Sequence, residues 1–357
     1  MKKVILIGVF WILAFSGSTL PASAQPVGYI YSLKGYAEIK RPQQKYKKAN
    51  IHDLLEAGDS VQLFKGAVTV LCTNLTEWSV PVGKEVLLKD GCQKRGRTVL
   101  YRPDQKTSRY RSQDDDPQTP YLISPRNTAL LNRQPILRWN HTGARSYQVK
   151  VTGEGLNWST TVKQPQVIFP GNKQPIQPGS RYWVTVVAED GKRFDSNGLS
   201  FTFLGDEQVR QVQQDIKAVK QGGITSNSQR FALAIAYQKY GLKLEAINLL
   251  EAASKQGRQP SATAQLLGEL YQESGRLRAA KDQYAKALQV AKTENNLEGQ
   301  AILQTHLGTV YEQLGQLKDA RQWLQAAKRI YEALGDVEQA QTLQLRINDL
   351  LKRGPLS

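Results

Sequence analysis

The spacing of hydrophobic residues changes along the 357-residue chain. Between residues 27 and 101, and again between 122 and 204, apolar and polar residues alternate over short runs, which is typical of strands that bury one face. From Asp206 onwards, apolar residues recur every three or four positions, the period of an amphipathic helix. The pattern therefore predicts a multidomain protein with two all-β domains followed by an all-α domain.

One motif recurs three times in the helical part and predicts stacked helix pairs. It consists of Leu and a small residue, then Tyr three positions on, Gly four positions after Tyr, and Ala five positions after Gly. The copies begin at Leu233, Leu267 and Leu307, so they are 34 and 40 residues apart. The small residue allows two helices to approach, Tyr fills the gap between them, and Gly ends the first helix.

This motif closely resembles the tetratricopeptide repeat, whose period is about 34 residues. The resemblance implies an all-α solenoid over 206–357, with repeats at about 227–260, 261–300 and 301–333 and a C-terminal capping helix. It also implies a concave groove, lined by the first helix of each repeat, that binds a protein or peptide partner. Helical geometry places eight polar residues in this groove: Gln265, Glu269, Gln272, Glu273, Thr305, Thr309, Glu312 and Gln313. Ordinary solvated helix positions are the open alternative for the same residues.

The two β segments each resemble a known domain type. Residues 25–101 resemble a FecR-like β domain of bacterial proteins, and residues 121–205 resemble a fibronectin type III or other immunoglobulin-like sandwich. The motifs that carry the first resemblance are Gly35…Ile39-Lys40-Arg41, Leu55-Glu-Ala-Gly-Asp59 and residues 66–71. Those that carry the second are Trp139, Tyr147 and Pro178-Gly179-x-x-Tyr182. Residues 102–120 are polar, charged and flanked by proline, so we expect a linker there.

The first 24 residues predict export. Lys2 and Lys3 precede an apolar run over residues 4–15, and a small-residue tail ends in Ala22-Ser23-Ala24. This is the pattern of a signal peptide, with a membrane anchor that is retained as the alternative. We therefore expect a periplasmic, envelope or secreted protein. In such a compartment, a disulfide between Cys72 and Cys92 is favoured over two free thiols or a metal pair.

The formal net charge of +17 raises the question of anionic partners. Nucleic acid is not expected, because the chain is predicted to be exported and lacks aromatic residues interleaved with basic ones in a stacking motif. A polyanion such as a wall polysaccharide is a candidate partner for a basic patch. The patch comprises Lys40, Arg41, Lys45, Lys47, Lys48, Arg95 and Arg97. Basic hairpin loops on a solvated β domain are the alternative.

Sequence motifs for catalysis are missing. The three histidines, His52, His141 and His306, have no ligand spacing, and G-x-S-x-G, P-loop and H-E-x-x-H motifs do not occur. Trp158 and Trp183 suit either a sugar-stacking platform or packing in the β-sandwich. We therefore expect no enzyme, no cofactor and no metal. The two hypotheses for function are an exported scaffold that binds an envelope protein through the groove, and a binder of wall glycan or polyanion.

Overall fold

The computed structural model of the protein describes residues 26–51, 53–92, 118–255 and 261–353. The predicted signal peptide, most of the predicted linker, His52, Arg95 and Arg97 lie outside the described residues. The described chain has a β-rich N-terminal half and a C-terminal helical repeat region, as the hydrophobic pattern predicts. No helix within these residues is long and apolar enough to cross a bilayer.

The first β region is a six-stranded sheet built around two long strands. Strands β1 and β4 pair antiparallel from Gly28 opposite Cys72 to Lys40 opposite Ser60. Gly35 and Gly66 face each other in this ladder at φ +98°, a backbone conformation that side chains disfavour. The elements are β1 (Pro26–Lys40), β2 (Lys47–Lys48), β3 (Leu54–Glu56), β4 (Ser60–Cys72), β5 (Glu77–Ser79), β6 (Glu85–Leu87) and α1 (Leu88–Gly91). A disulfide joins Cys72 to Cys92 and so ties the end of β4 to the residue after α1.

The second β region packs two sheets face to face. The five-stranded sheet has the order β11-β10-β13-β14-β8, and the three-stranded sheet has the order β12-β9-β7. Their shared core contains Trp139 and Tyr147, and the hydroxyl of Tyr182 accepts a hydrogen bond of 2.8 Å from the N–H of Gln177. The strands are β7 (Leu122–Ser124), β8 (Thr128–Leu130), β9 (Ile136–Trp139), β10 (Tyr147–Gly153), β11 (Leu156–Val162), β12 (Gln166–Ile168), β13 (Tyr182–Ala188) and β14 (Arg193–Phe203).

The helical region contains three antiparallel helix pairs, preceded and followed by a single helix. The motif residues have the predicted packing roles: a Cβ added to Gly268 would lie 2.6 Å from the ring of Tyr284, and Gly241, Gly275 and Gly315 end first helices at φ +70° to +78°. The helices are α2 (Asp206–Gln221), α3 (Ser226–Lys239), α4 (Lys243–Ser254), α5 (Ser261–Glu273), α6 (Leu277–Thr293), α7 (Leu297–Gln313), α8 (Leu317–Ala333) and α9 (Val337–Arg353). Helix α9 packs its apolar face on α8, in the place expected of a capping helix.

The N-terminal β region and the helical repeats share one hydrophobic core. The cluster of buried residues that begins at Val27 in β1 continues without a break into α3, α5 and α7. The second β region is attached by polar contacts as well. There, the buried guanidinium of Arg126 donates to the carbonyl oxygens of Leu122 and Gly275, each at 3.1 Å. Both β regions therefore pack against the helical repeats.

Candidate partner-binding groove

The second-repeat groove residues lie deep in the molecule. Gln265 and Glu269 are only 6% and 5% exposed, and the Nε2 of Gln265 donates to the Oε1 of Glu269 at 3.0 Å. His306 from α7 brings its Nε2 to 3.8 Å from the same carboxylate oxygen, and its ring stacks on Tyr284 at 4.8 Å. Both predicted groove residues therefore face protein, and neither side chain is available to a partner in this arrangement.

Strand β1 covers the beginning of this groove. The ring of Tyr31 lies 5.1 Å from that of Phe231 in α3, and β1 also contacts α5. Burial raises the pKa of Tyr31, while the neighbouring hydroxyls of Ser228 and Thr263 act in the opposite direction. The first helices of repeats 1 and 2 thus pack against the chain's own N-terminal β region.

The groove becomes accessible between repeats 2 and 3. Gln272 and Gln313 are partly buried and hydrogen-bonded to each other at 3.0 Å, and the hydroxyl of Tyr284 donates to the Oε1 of Gln272 at 3.0 Å. Glu273 is also partly buried and lies 3.3 Å from the Nζ of Lys243. The hydrogen-bonded side chains of Gln272 and Gln313 therefore connect repeats 2 and 3, and part of their polar surface remains open to solvent.

In the third repeat, the capping helix α9 holds the groove residues. Arg346 donates through Nη2 to the carboxylate of Glu312 at 2.6 Å and through Nη1 to the hydroxyl of Thr309 at 2.9 Å. Arg353 reaches the second oxygen of Glu312 at 2.7 Å, and the hydroxyl of Thr309 donates to the carbonyl of Thr305. Both oxygens of the Glu312 carboxylate therefore accept hydrogen bonds from guanidinium groups, which neutralise its charge. The groove end is polar, but Glu312 does not make it acidic.

Arg346 in α9 and His306 in α7 occupy equivalent positions and make similar contacts with the preceding repeat. Arg346 occupies the position in α9 that His306 occupies in α7, 40 residues earlier. His306 approaches Glu269, and Arg346 binds the equivalent Thr309 together with Glu312. Arg346 lies in the predicted capping helix outside the three motif copies, so the repeat motif gave no signal for its contact with Glu312.

The basic patch of the first β region is largely paired. Arg41 lies near Glu56 and Asp59 (3.8 and 3.5 Å), Lys47 lies 3.0 Å from Asp53, and Lys48 lies 3.1 Å from Glu298 in α7. Lys45 is exposed and has no ion-pair partner within the described residues, and the Nζ of Lys40 lies 4.8 Å from the ring centre of Tyr46. The structure therefore brings five patch residues into one region and leaves two of them without a carboxylate in contact.

The pair of Lys48 and Glu298 was not apparent from the sequence. Glu298 is 5% exposed at the junction of the first β region and the third repeat. Burial raises its pKa to about 7; the charge of Lys48 acts in the opposite direction, while Asp53 and Asp336 add to the rise. The two residues are 250 positions apart, and neither belongs to a recognisable motif.

The remaining candidate sites are a metal site and the sugar-stacking platform of Trp158 and Trp183. Within the described residues, no group of three or more His, Cys, Asp or Glu side chains is arranged to hold a metal ion. Trp158 packs edge-on against Phe169 at 5.3 Å, as expected for a residue of the β-sandwich, whereas Trp183 is 39% exposed.

Comparison with known proteins identifies the type of repeat. Residues 260–333 match the family model described as Tetratricopeptide repeat. This match covers α5 to α8, the two helix pairs that contain the second and third copies of the motif. The C-terminal helical repeat region is thus consistent with a tetratricopeptide solenoid, a class of protein that binds protein or peptide partners. No curated protein matches the chain.

Solved structures similar to the chain include three tetratricopeptide-like examples. One consists of TPR-like repeats from Podosopora anserina that are nearly identical to one another. Its sequence is 22% identical to this chain, the match covers 42% of this chain and 92% of that chain, and the TM-score is 0.29. The apo form of RapI is 17% identical over 40% of this chain and 46% of its own, with a TM-score of 0.33. MamA from AMB-1 is 19% identical over 42% and 87%, with a TM-score of 0.28. At these scores the similarity carries no inference about function.

Proposed function

We propose that this chain is an exported, non-catalytic scaffold that binds another protein of the cell envelope through its helical repeats. The observation that supports it best is the accessible groove end between α5, α7 and α9. There, Gln272, Gln313 and the Thr309–Arg346–Glu312 cluster keep hydrogen-bonding groups at a partly open surface. Binding in this groove is an established use of tetratricopeptide repeats, and the family match covers α5 and α7.

The same contacts refine the expected partner. Because Arg346 and Arg353 already neutralise Glu312, the groove end does not select a basic segment by charge. It offers amide groups that donate and accept, beside a hydroxyl and a guanidinium. We therefore expect a polar, extended peptide segment that exchanges hydrogen bonds with Gln272 and Gln313.

Export and domain identity belong to the same proposal. The disulfide of Cys72 and Cys92 supports an oxidising compartment, in agreement with the predicted signal peptide. The buried Trp139 and the hydrogen bond from the Gln177 N–H to the Tyr182 hydroxyl support a fibronectin-like middle domain. The paired long strands around Gly35 support the FecR-like assignment of the first domain.

Site-specific crosslinking in the native organism tests this proposal. A photo-reactive phenylalanine analogue at position 313 lies at the open groove end, and the same analogue at position 325 lies on the exposed face of α8. We expect one envelope protein to crosslink from position 313 and not from 325. In a separate pulldown without the analogue, the double variant Gln272→Ala/Gln313→Ala should reduce capture of that protein about tenfold. Identical products from both positions would contradict binding in the groove.

A second candidate function, binding of a wall glycan or another polyanion by the first β region, is supported by one arrangement. The Nζ of Lys40 lies 4.8 Å from the exposed ring of Tyr46, and the unpaired Lys45 is next to that ring in sequence. Cosedimentation of the full chain with wall polymer should fall steeply as salt rises. It should also fall for Lys40→Gln/Lys45→Gln but not for the control Lys84→Gln/Lys89→Gln. Without sedimentation at low salt, this candidate is excluded.

A further inference from the structure

We propose that the outer face of the five-stranded sheet in the second β region binds an uncharged oligosaccharide, which stacks on the ring of Trp183. Trp183 lies in β13 and is 39% exposed, whereas its neighbours Tyr182 and Val184 are buried in the core between the two sheets. Because successive side chains of a strand point to opposite faces of a sheet, Trp183 lies on the face directed away from that core. The proposal depends neither on the groove of the repeats nor on the basic patch of the first β region.

Three polar residues form one row with Trp183 across the sheet. Trp183 pairs with Thr152 of β10 on one side and with Ser200 of β14 on the other, and Thr152 pairs with Asn157 of β11. Side chains of directly opposite residues lie on the same face of a sheet. The row therefore crosses four neighbouring strands, and it spans about 14 Å because neighbouring strands are about 4.8 Å apart. That length suits a short oligosaccharide better than a single sugar.

The backbone beneath the row is regular on one side of Trp183 and irregular on the other. Strand β10 pairs with β11 and with β13 from Tyr147 to Gly153 without a shift in register. The pairing of β13 with β14 shifts between Trp183 and Thr185. Such bulges change the direction of nearby side chains and are common beside functional sites. Trp183 thus lies where the regular platform formed by β10 and β11 ends.

The four side chains of the row are available to a ligand. Within the residues that the structure describes, none of them makes a side-chain hydrogen bond, an ion pair or a ring contact. Asn157 is exposed like Trp183, and Thr152 and Ser200 are partly buried. Trp158 differs, because its ring packs against that of Phe169 at 5.3 Å. Of these two tryptophans, Trp183 is therefore the one whose ring is open for stacking.

The chemistry of the row favours a sugar. One face of a pyranose ring consists of C–H groups and packs on an aromatic ring, while its hydroxyl groups both donate and accept hydrogen bonds. The amide of Asn157 and the hydroxyls of Thr152 and Ser200 also donate and accept, so they match sugar hydroxyl groups in either direction. The row carries no charged side chain, so it does not select a charged ligand. Lys150 is the next residue of β10 on this face and is exposed, and its amine adds a donor for a further hydroxyl group.

The same features distinguish the row from a contact with a protein or a membrane. The centres of protein interfaces are enriched in aromatic side chains, whereas polar side chains flank Trp183 on both sides. Binding to a membrane surface requires a broad apolar face. A single indole ring between Thr152 and Ser200 provides neither.

Fluorescence anisotropy of the full chain with labelled hexasaccharides of glucose and of N-acetylglucosamine tests the proposal. We expect at least one of the two to bind, with an affinity that changes less than about twofold between roughly 20 and 200 mM salt, because no charges pair. Trp183→Ala should weaken that binding about tenfold or more, whereas Trp183→Phe keeps an aromatic ring and should weaken it less than about threefold. Asn157→Ala/Ser200→Ala should weaken it about fivefold, because hydrogen bonds to the sugar are lost.

Two control variants locate the site. Gln148→Ala/Thr161→Ala changes an exposed cross-strand pair on the same face, about 13 Å along the strands from the row, and should alter binding less than about twofold. Tyr46→Ala removes an exposed ring of the first β region and should leave binding unchanged. Binding of neither hexasaccharide would overturn the proposal, as would equal losses for Trp183→Ala and Tyr46→Ala with unchanged circular dichroism. Tighter binding to dextran sulfate or to anionic vesicles than to the hexasaccharides would overturn it as well.

Discussion

Helices α5 and α7 contain the same Leu-Gly-x-x-Tyr motif but have different surroundings. Every residue of α5 from Ser261 to Tyr271 is buried, whereas α7 leaves Thr305, His306 and Thr309 partly exposed. The motif packs alike in both: a Cβ on Gly268 would meet Tyr284 at 2.6 Å, and one on Gly308 would meet Leu324 at 2.5 Å. The repeat motif therefore sets the packing within a helix pair, and the neighbouring elements decide which part of the groove remains open.

The largest expected effect comes from the contact that closes the groove over repeats 1 and 2. Phe231 is fully buried and its ring contacts that of Tyr31 in β1. Phe231→Ala should lower the free energy of unfolding by about 3–5 kcal/mol, because it removes a large buried side chain and leaves a cavity. Urea unfolding followed by circular dichroism measures this loss.

Phe64, an exposed aromatic residue of the first β region, provides the control. Phe64 is 45% exposed and packs against Tyr36 at the surface. Phe64→Ala should cost no more than about 1 kcal/mol. If Phe231→Ala cost as little as Phe64→Ala, the packing of β1 against the groove would be refuted.

The next effect concerns the junction of the β region with repeat 3. Burial raises the pKa of Glu298 from 4.5 to about 7, with Lys48, Asp53, Asp336 and Tyr331 around it. Between these pH values the folded state holds a proton that the unfolded state has released, so the free energy of unfolding falls as pH rises through this window. The loss should be on the order of 2 kcal/mol between about pH 4.5 and 8.

The variant Glu298→Gln isolates this titration. It keeps the shape of the side chain and should remove the loss, so its stability relative to wild type should increase from pH 4.5 to pH 8. Glu338→Gln, on the exposed first turn of α9, is the matched control and should leave the pH dependence of unfolding unchanged. Parallel stability curves for wild type and Glu298→Gln would show that the group does not titrate in this window.

The sequence predicted features that depend on local pattern and did not predict those that depend on distant contacts. The three motif copies gave the helix pairs, because Gly, Tyr and Ala act on neighbours within one repeat. The burial of Gln265 and Glu269 could not be predicted, since it depends on the packing of elements such as β1 and α3, illustrated by Tyr31 and Phe231, which lie 200 residues apart. The groove positions followed from helical geometry, whereas their accessibility required the packing of the whole chain.

The smallest expected effect concerns the open end of the groove. Arg346 binds Glu312 through Nε at 3.0 Å and Nη2 at 2.6 Å, and both side chains are partly exposed (30% and 17%). Arg346→Gln should therefore lower the free energy of unfolding by only about 1 kcal/mol, and less at high salt, because solvent screens the pair and Arg353 still reaches the carboxylate.

Arg329→Gln, at an exposed position of α8 without a carboxylate partner among the described residues, is the control and should change stability by less than about 0.5 kcal/mol. Denaturant titrations at two salt concentrations compare them. Equal effects of the two substitutions would mean that α9 does not hold the groove end through Glu312.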